Sequence, residues 1–144
     1  MKIYIYRYGS LCEPDIIDAF KRIGLEIIEE SAEIYNKSIV PSESASLASS
    51  VLTKGGFAFA FTINFFPWLS DICQLLNITY ISLIVDSPVL ELYSNAISNP
   101  VNRIFLFDKM LYEEFDQYNK GHIFHMPLAA NTSRTDEIIS LAVL

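Results

Sequence analysis

Six residues with the chemistry of a ligand-binding site lie directly after three apolar segments of the chain. They are Gly9, Ser10, Asn64, Phe65, Asp86 and Ser87. A carboxylate, a hydroxyl group and an amide can bind polar ligands, a glycine-containing turn can offer backbone amides to an anion, and an aromatic ring can stack on a sugar or a base. What they can do depends on whether the fold brings the three segments to one place.

Short apolar runs rich in Ile, Val, Phe and Tyr alternate with helical patterns along the chain. We predict strands at Lys2–Arg7, Leu25–Glu29, Phe57–Ile63, Thr79–Val85, Arg103–Phe107 and His122–Met126. Several of these runs are apolar throughout, which is typical of parallel strands covered by helices on both faces. The sequence therefore predicts an α/β fold, a Rossmann-like doubly wound, mostly parallel sheet with helices on both faces.

Helix signals separate the predicted strands. Glu13–Asp15 places a proline and two acids in a first turn, Pro67 opens another helix, and Asp108 is expected to cap a helix over Lys109–Tyr118. A weaker helix, rich in serine and alanine, is predicted over Ser42–Lys54. The resulting order is βαβαβαβ-loop-βαβ.

In such sheets, ligands bind beyond the carboxyl ends of the strands, where the strand order reverses. If the second and third strands lie on opposite sides of the first, the loops after strands one, three and four border one crevice. We therefore predict that the six residues named above form one contiguous pocket, with Asp86 at least partly exposed. The alternative is that Asp86 and Ser87 cap a short helix over Val89–Ala96.

The sequence disfavours nucleotide-binding and metal sites of the familiar kinds. The segment YRYGSLCEPD lacks both GxGxxG and GxxxxGK[ST], the patterns of dinucleotide and P-loop nucleotide binding. Gly9 and Ser10 can instead form a tight turn or offer backbone amides to an anion. His122 and His125 are predicted to point to opposite faces of a strand, so they cannot share a metal ion. We predict no metal site and no cofactor.

The composition is that of one globular domain. The chain has 144 residues, is 51% hydrophobic and has a net charge of -7, with Lys and Arg scattered singly, which disfavours a nucleic-acid partner. The apolar runs are far shorter than the roughly 20 residues of a membrane span. Cys12 and Cys73 form no zinc or CxxC motif, and no signal-peptide core precedes Arg7. We therefore expect a cytoplasmic protein.

Three longer segments resemble a known family. They are MKIYIYRYGSLCEPDIIDAF, FAFTINFFPWLSDICQLLNITYISLIVDSP, and NRIFLFDKMLYEEF followed by IFHMPLAAN. Together they resemble the N-terminal domain of unknown function of bacterial CgeB-like (spore-maturation-type) glycosyltransferases, with INFFP and VDSP as the most specific parts. The family typically has a tryptophan where Leu83 stands, so the chain departs from the pattern there but keeps Asp-Ser-Pro.

This resemblance implies one half of a GT-B architecture, in which two Rossmann-like halves face a cleft. Residues 1–131 would be the acceptor-side half, and residues 132–144 a hinge or tail leading toward a C-terminal half. The expected partners are a sugar or glycan acceptor and, only through that other half, a nucleotide-sugar donor. The chain alone would be inactive, and a homodimer is a further expectation because a lone half exposes the face that meets its partner.

The same resemblance gives the predicted site residues their roles. Asp86 would be the general base toward the acceptor hydroxyl, Asn64 and Ser10 would orient hydroxyl groups, and Phe65 or Phe66 would stack on a sugar face. Gly9 and Ser87 would complete the binding surface. The alternative function is a non-catalytic α/β domain, either a flavodoxin-like ligand-binding module or a protein-interaction domain.

Overall fold

The computed structural model describes residues 1–129 and 140–141. Its core is one sheet of six strands, which are β1 (Lys2–Tyr6), β2 (Glu26–Glu30), β3 (Phe57–Ile63), β4 (Thr79–Ile84), β5 (Asn102–Leu106) and β6 (Ile123–His125). All neighbouring strands are parallel, in the order β2-β1-β3-β4-β5-β6. The predicted α/β class with a Rossmann-like, doubly wound sheet is confirmed. All six predicted strands are present, and each of their ends lies within one residue of the predicted position.

The strand order reverses at β1, which has β2 on one side and β3 on the other. The chain first moves outward from β1 to β2 and then crosses back over β1 to reach β3. The order 2-1-3-4-5 is that of flavodoxin-type doubly wound sheets, here extended by β6. The carboxyl ends of β1, β3 and β4 therefore lie at the edge where ligands bind in folds of this kind.

Within residues 1–129, five α-helices connect the strands, and they are α1 (Glu13–Arg22), α2 (Ala32–Tyr35), α3 (Pro41–Leu52), α4 (Pro67–Leu76) and α5 (Lys109–Phe115). The predicted cap of α5 is confirmed, since the Asp108 carboxylate accepts a hydrogen bond of 2.8 Å from the Met110 amide. Helix α2 was not predicted from the sequence. The predicted helix over Val89–Ala96 is instead two 3₁₀ helices, Leu90–Tyr93 and Asn95–Ser98, and a third 3₁₀ helix, Asp116–Tyr118, continues α5.

Alternate side chains of β1 enter two separate layers of the core, because successive residues of a strand point to opposite faces. Ile3 and Ile5 pack beneath α1, next to Ile17 of that helix. Tyr4 and Tyr6 enter the larger layer on the opposite face. That layer includes buried residues of α3, α4 and α5, which are Ala48, Leu52, Leu69, Cys73 and Phe115. Helices thus cover both faces of the sheet, as predicted.

The segment predicted as a hinge or tail, residues 132–144, lies outside the described residues except for Ser140 and Leu141. Within the part of the chain that the structure describes, no helix has the length and apolar character needed to cross a bilayer.

The two thiols differ sharply in burial, which predicts a difference in reactivity. Cys73 is fully buried within α4, and burial raises the pKa of its thiol to about 12. Cys12 is only partly buried. Because the thiolate is the reactive form, we expect an alkylating reagent at pH 8 to modify Cys12 in the native protein and both cysteines after denaturation. Mass spectrometry of the two peptides measures this, and equal native rates would contradict the structure of the core.

Candidate functional site

A cleft of about 320 Å³ lies at the carboxyl edge of the sheet, beside the reversal of strand order. Segments that follow four different strands supply its lining residues, which are Tyr8, Glu33, Asn64, Phe65, Phe66, Asp86, Pro88, Val89 and Glu91. The register of the sheet explains why two of the predicted segments meet here. Ile63 of β3 lies opposite Leu83 of β4, so Asn64 and Asp86 emerge at the same edge.

Asn64 joins the ends of three strands through its side-chain amide. Its Nδ2 donates to Asp86 Oδ2 at 2.6 Å and to the Tyr8 hydroxyl at 3.0 Å, and its Oδ1 accepts from the Val85 amide at 3.0 Å. Its backbone is left-handed, with a φ of 60°, a conformation that asparagine adopts more readily than most residues. Both ends of the amide are therefore bound to protein groups, and Asn64 holds Asp86 instead of presenting a free amide to a ligand.

The Asp86 carboxylate is exposed at the cleft and fixed through one oxygen. The alternative interpretation of Asp86 as a helix cap is wrong, because the following 3₁₀ helix begins at Leu90 with Val89 in the cap position and no side-chain cap. Among the described residues, Oδ1 of Asp86 accepts no protein hydrogen bond. The geometry therefore offers one orientated, accessible carboxylate oxygen to a bound hydroxyl group.

The aromatic part of the cleft comes from Phe66 and Tyr8, whose ring centroids lie 5.3 Å apart. Phe65 cannot supply the predicted stacking ring, because its side chain is 1% exposed and packs against Tyr80. The Tyr80 hydroxyl accepts a hydrogen bond of 3.1 Å from the Phe66 amide, which holds the loop with the Phe65 ring in the core. The stacking role predicted for Phe65 or Phe66 is thus left to Phe66.

Gly9, Ser10 and Ser87 are not among the residues that line this cleft, so the cleft joins three of the six predicted residues, which are Asn64, Phe65 and Asp86. The Ser10 hydroxyl accepts from the Cys12 amide within its own loop. The Gly9 amide is bound by the Glu13 carboxylate, as described next. Ser87 is exposed next to Asp86 and contributes no lining.

Glu13 fills the place where an anion would bind after β1. Its carboxylate is 2% exposed and accepts hydrogen bonds from the Tyr8 amide at 3.0 Å and the Gly9 amide at 3.1 Å. Arg7 donates to the same carboxylate at 3.4 Å and so balances its charge. Backbone amides next to a glycine and a helix start are the groups that phosphate uses in many nucleotide-binding folds. Here they bind a carboxylate of the chain itself.

Negative charge dominates the cleft. Three of its nine lining residues are acidic, Glu33, Asp86 and Glu91, and none is Lys or Arg. Glu33 accepts a hydrogen bond from the buried Tyr6 hydroxyl, and burial together with this bond raises the pKa of Tyr6. Burial, reinforced by the charge of Asp86, also raises the pKa of Tyr8. Both tyrosines therefore keep their hydroxyl protons at neutral pH, and the Tyr6 hydroxyl donates to Glu33 while the Tyr8 hydroxyl accepts from Asn64.

Sequence reasoning missed Glu33, Glu91 and the ring of Tyr8 as parts of the cleft. Tyr8 follows Tyr6 by two residues, and this spacing could have placed both on one side of β1. No sequence pattern indicated that Glu33 would line the cleft, because it lies on α2, a helix that was not predicted. Among the described residues, no group of three or more His, Cys, Asp or Glu side chains comes together as a metal site.

Comparison of the chain with protein-family models, with curated proteins and with solved structures finds no match.

Proposed function

We propose that the chain is the N-terminal, acceptor-side half of a GT-B glycosyltransferase of the CgeB-like type, with Asp86 as the general base. The observation that carries this proposal is the exposed Asp86 carboxylate at the reversal of strand order, orientated by a 2.6 Å hydrogen bond from Asn64. A base of this kind must reach the acceptor hydroxyl within hydrogen-bond distance, and a carboxylate with one free oxygen can do so.

The chemistry of the cleft favours an acceptor sugar over a nucleotide sugar. Carboxylate oxygens of Glu33, Asp86 and Glu91 can accept hydrogen bonds from sugar hydroxyls, and Phe66 can pack against the apolar face of a sugar ring. The same carboxylates repel the diphosphate of a nucleotide sugar. The donor would therefore be held by a second half, and transfer requires both substrates across one cleft.

A flavodoxin-like ligand-binding module is the second candidate, and the strand order favours it. Such a module binds the phosphate of its ligand on backbone amides after β1. In this chain the amides of Tyr8 and Gly9 are bound to Glu13, so a phosphate would first have to displace a buried carboxylate. The acceptor-side function is compatible with this arrangement, since an acceptor sugar carries no phosphate that must bind there.

The proposal predicts which ligands the isolated chain binds and which it does not. We expect the purified 144-residue chain to bind no UDP-sugar tightly and to turn none over, whereas a neutral oligosaccharide acceptor binds at the cleft. Phe66→Leu removes the ring but keeps an apolar side chain, so it should weaken acceptor binding by about tenfold. Calorimetry measures the binding of the acceptor and of the UDP-sugar, and a coupled assay of nucleotide release measures turnover.

The matched control is Phe124→Leu, which removes a partly exposed ring from β6, at the far edge of the sheet. This variant should bind the acceptor as the wild type does. Tight binding of a UDP-sugar, or turnover of it by the isolated chain, would overturn the assignment of this half to the acceptor.

A further inference from the structure

A second cavity, of about 280 Å³, lies between the segment that follows β4 and the end of α5. We refer to it as the Tyr93 cavity. Buried apolar side chains form its floor, and these are Leu92, Ile97 and Phe115. Tyr93 and Tyr118 stand at its mouth and are 62% and 51% exposed. Polar side chains complete it, and these are Ser94, Asn95 and Ser98.

The lining of the Tyr93 cavity carries no formal charge, although the chain has 17 acidic and 10 basic residues. An ionic ligand would leave water here without gaining an ion pair, which is costly. A purely apolar ligand would leave the side-chain amide of Asn95 facing it, together with the hydroxyl of Ser94, which has no hydrogen-bond partner among the described residues. The Ser98 hydroxyl already donates to the Asn95 carbonyl at 2.8 Å. The lining therefore suits a neutral ligand that combines an apolar face with hydroxyl or amide groups.

The two tyrosine rings are held in place before any ligand binds. The Tyr93 hydroxyl donates to Glu114 Oε1 at 2.6 Å, and its ring meets the edge of Phe115 at 5.0 Å between centroids. The Tyr118 ring lies 6.1 Å from the same Phe115 ring. Rings that are already orientated lose little conformational freedom on binding, so they form an efficient surface for a flat apolar face.

We propose that the Tyr93 cavity is a carbohydrate site, separate from the acceptor cleft, that takes one or two units of a neutral glycan. A sugar ring has an apolar face for Tyr93 and Tyr118 and hydroxyl groups for Asn95 and Ser94. The volume is near the lower end of small-molecule sites, which run from about 300 to 1,000 Å³, so the bound part is small. The inference stands on this cavity alone and does not depend on Asp86 or on glycosyl transfer.

The test is a nuclear magnetic resonance titration of the ¹⁵N-labelled 144-residue chain with maltohexaose, cellohexaose and chitohexaose at millimolar concentration. We expect at least one of them to shift the amide signals of residues 92–98 and 115–118. Tyr93→Ala and Tyr118→Ala should each weaken that binding by about tenfold. Tyr35→Ala, which removes a tyrosine that is 87% exposed elsewhere, should leave it unchanged.

Tyr93→Phe keeps the ring and loses only the hydrogen bond to Glu114, so it should fold normally and retain most of the affinity. Phe66→Leu, which alters the acceptor cleft, should leave the shifts at the Tyr93 cavity in place, so failure of one site is distinguished from failure of the other. The proposal is overturned if none of the three oligosaccharides shifts these signals, or if neither alanine variant weakens the binding. A parallel titration with indole, an apolar aromatic compound, is the specificity control. If indole shifts the same amide signals as much as the oligosaccharide does, the cavity is a general apolar pocket and the proposal is overturned.

Discussion

Replacement of Asp86 by asparagine should lower the rate of sugar transfer by about 100-fold or more in a protein that joins this chain to a donor-binding half. The amide keeps the size of the carboxylate and can still accept the hydrogen bond from Asn64 Nδ2, which is 2.6 Å long in the wild type. It cannot take a proton from an acceptor hydroxyl. Acceptor affinity should change little, so the effect should appear in kcat and much less in KM.

Glu91→Gln is the matched control for this experiment. It removes another carboxylate from the same cleft, but one that no hydrogen bond holds to the loop of Asn64. Its rate should stay within a few-fold of wild type. If Asp86→Asn is equally mild, Asp86 is a structural residue of the loop, and the proposed mechanism fails while the fold stands.

Replacement of Glu13 by alanine should lower the free energy of unfolding by roughly 3 kcal/mol, because it leaves two backbone amides and one arginine without their buried acceptor. The amides are those of Tyr8 and Gly9, and the arginine is Arg7. Urea denaturation followed by circular dichroism measures the loss. Glu13→Gln retains an acceptor oxygen, so it should lose less.

Glu29→Ala provides the comparison, since Glu29 binds the same arginine at 3.2 Å from an exposed position. Surface ion pairs contribute about 1 kcal/mol or less, so this variant should be only slightly destabilised. Equal losses from the two variants would mean that Glu13 acts only as an ion-pair partner and that the loop after β1 does not need it.

The strands could be predicted closely from the sequence, and the reason is their burial. Parallel strands covered on both faces are continuous apolar runs, and Phe57–Ile63 has no polar residue except Thr62, so its limits are visible in the sequence. The exposure of Asp86 followed from the same argument, because a residue directly after an inner parallel strand emerges at the ligand-binding edge.

The other parts of the site depend on contacts between residues far apart in the chain, which local patterns do not contain. The sequence suggests that Glu13 is an acidic residue that stabilises the first turn of α1. In the structure its carboxylate instead accepts hydrogen bonds from the Tyr8 and Gly9 amides of the preceding loop. Phe65 and Phe66 are identical residues in one loop. The ring that enters the core is that of Phe65, which packs against Tyr80, while the Phe66 amide donates to the hydroxyl of the same tyrosine, 14 residues away.

The position of β1 also has a consequence for the order in which the chain folds. Lys2 lies opposite Glu26 on one side and Phe57 on the other, so both edges of β1 are satisfied only when residues far along the chain are in place. Closing such long loops is slow, and an unpaired inner strand is prone to aggregate in the meantime. During synthesis, β1 therefore stays unpaired along one edge until residues 57–63 have left the ribosome.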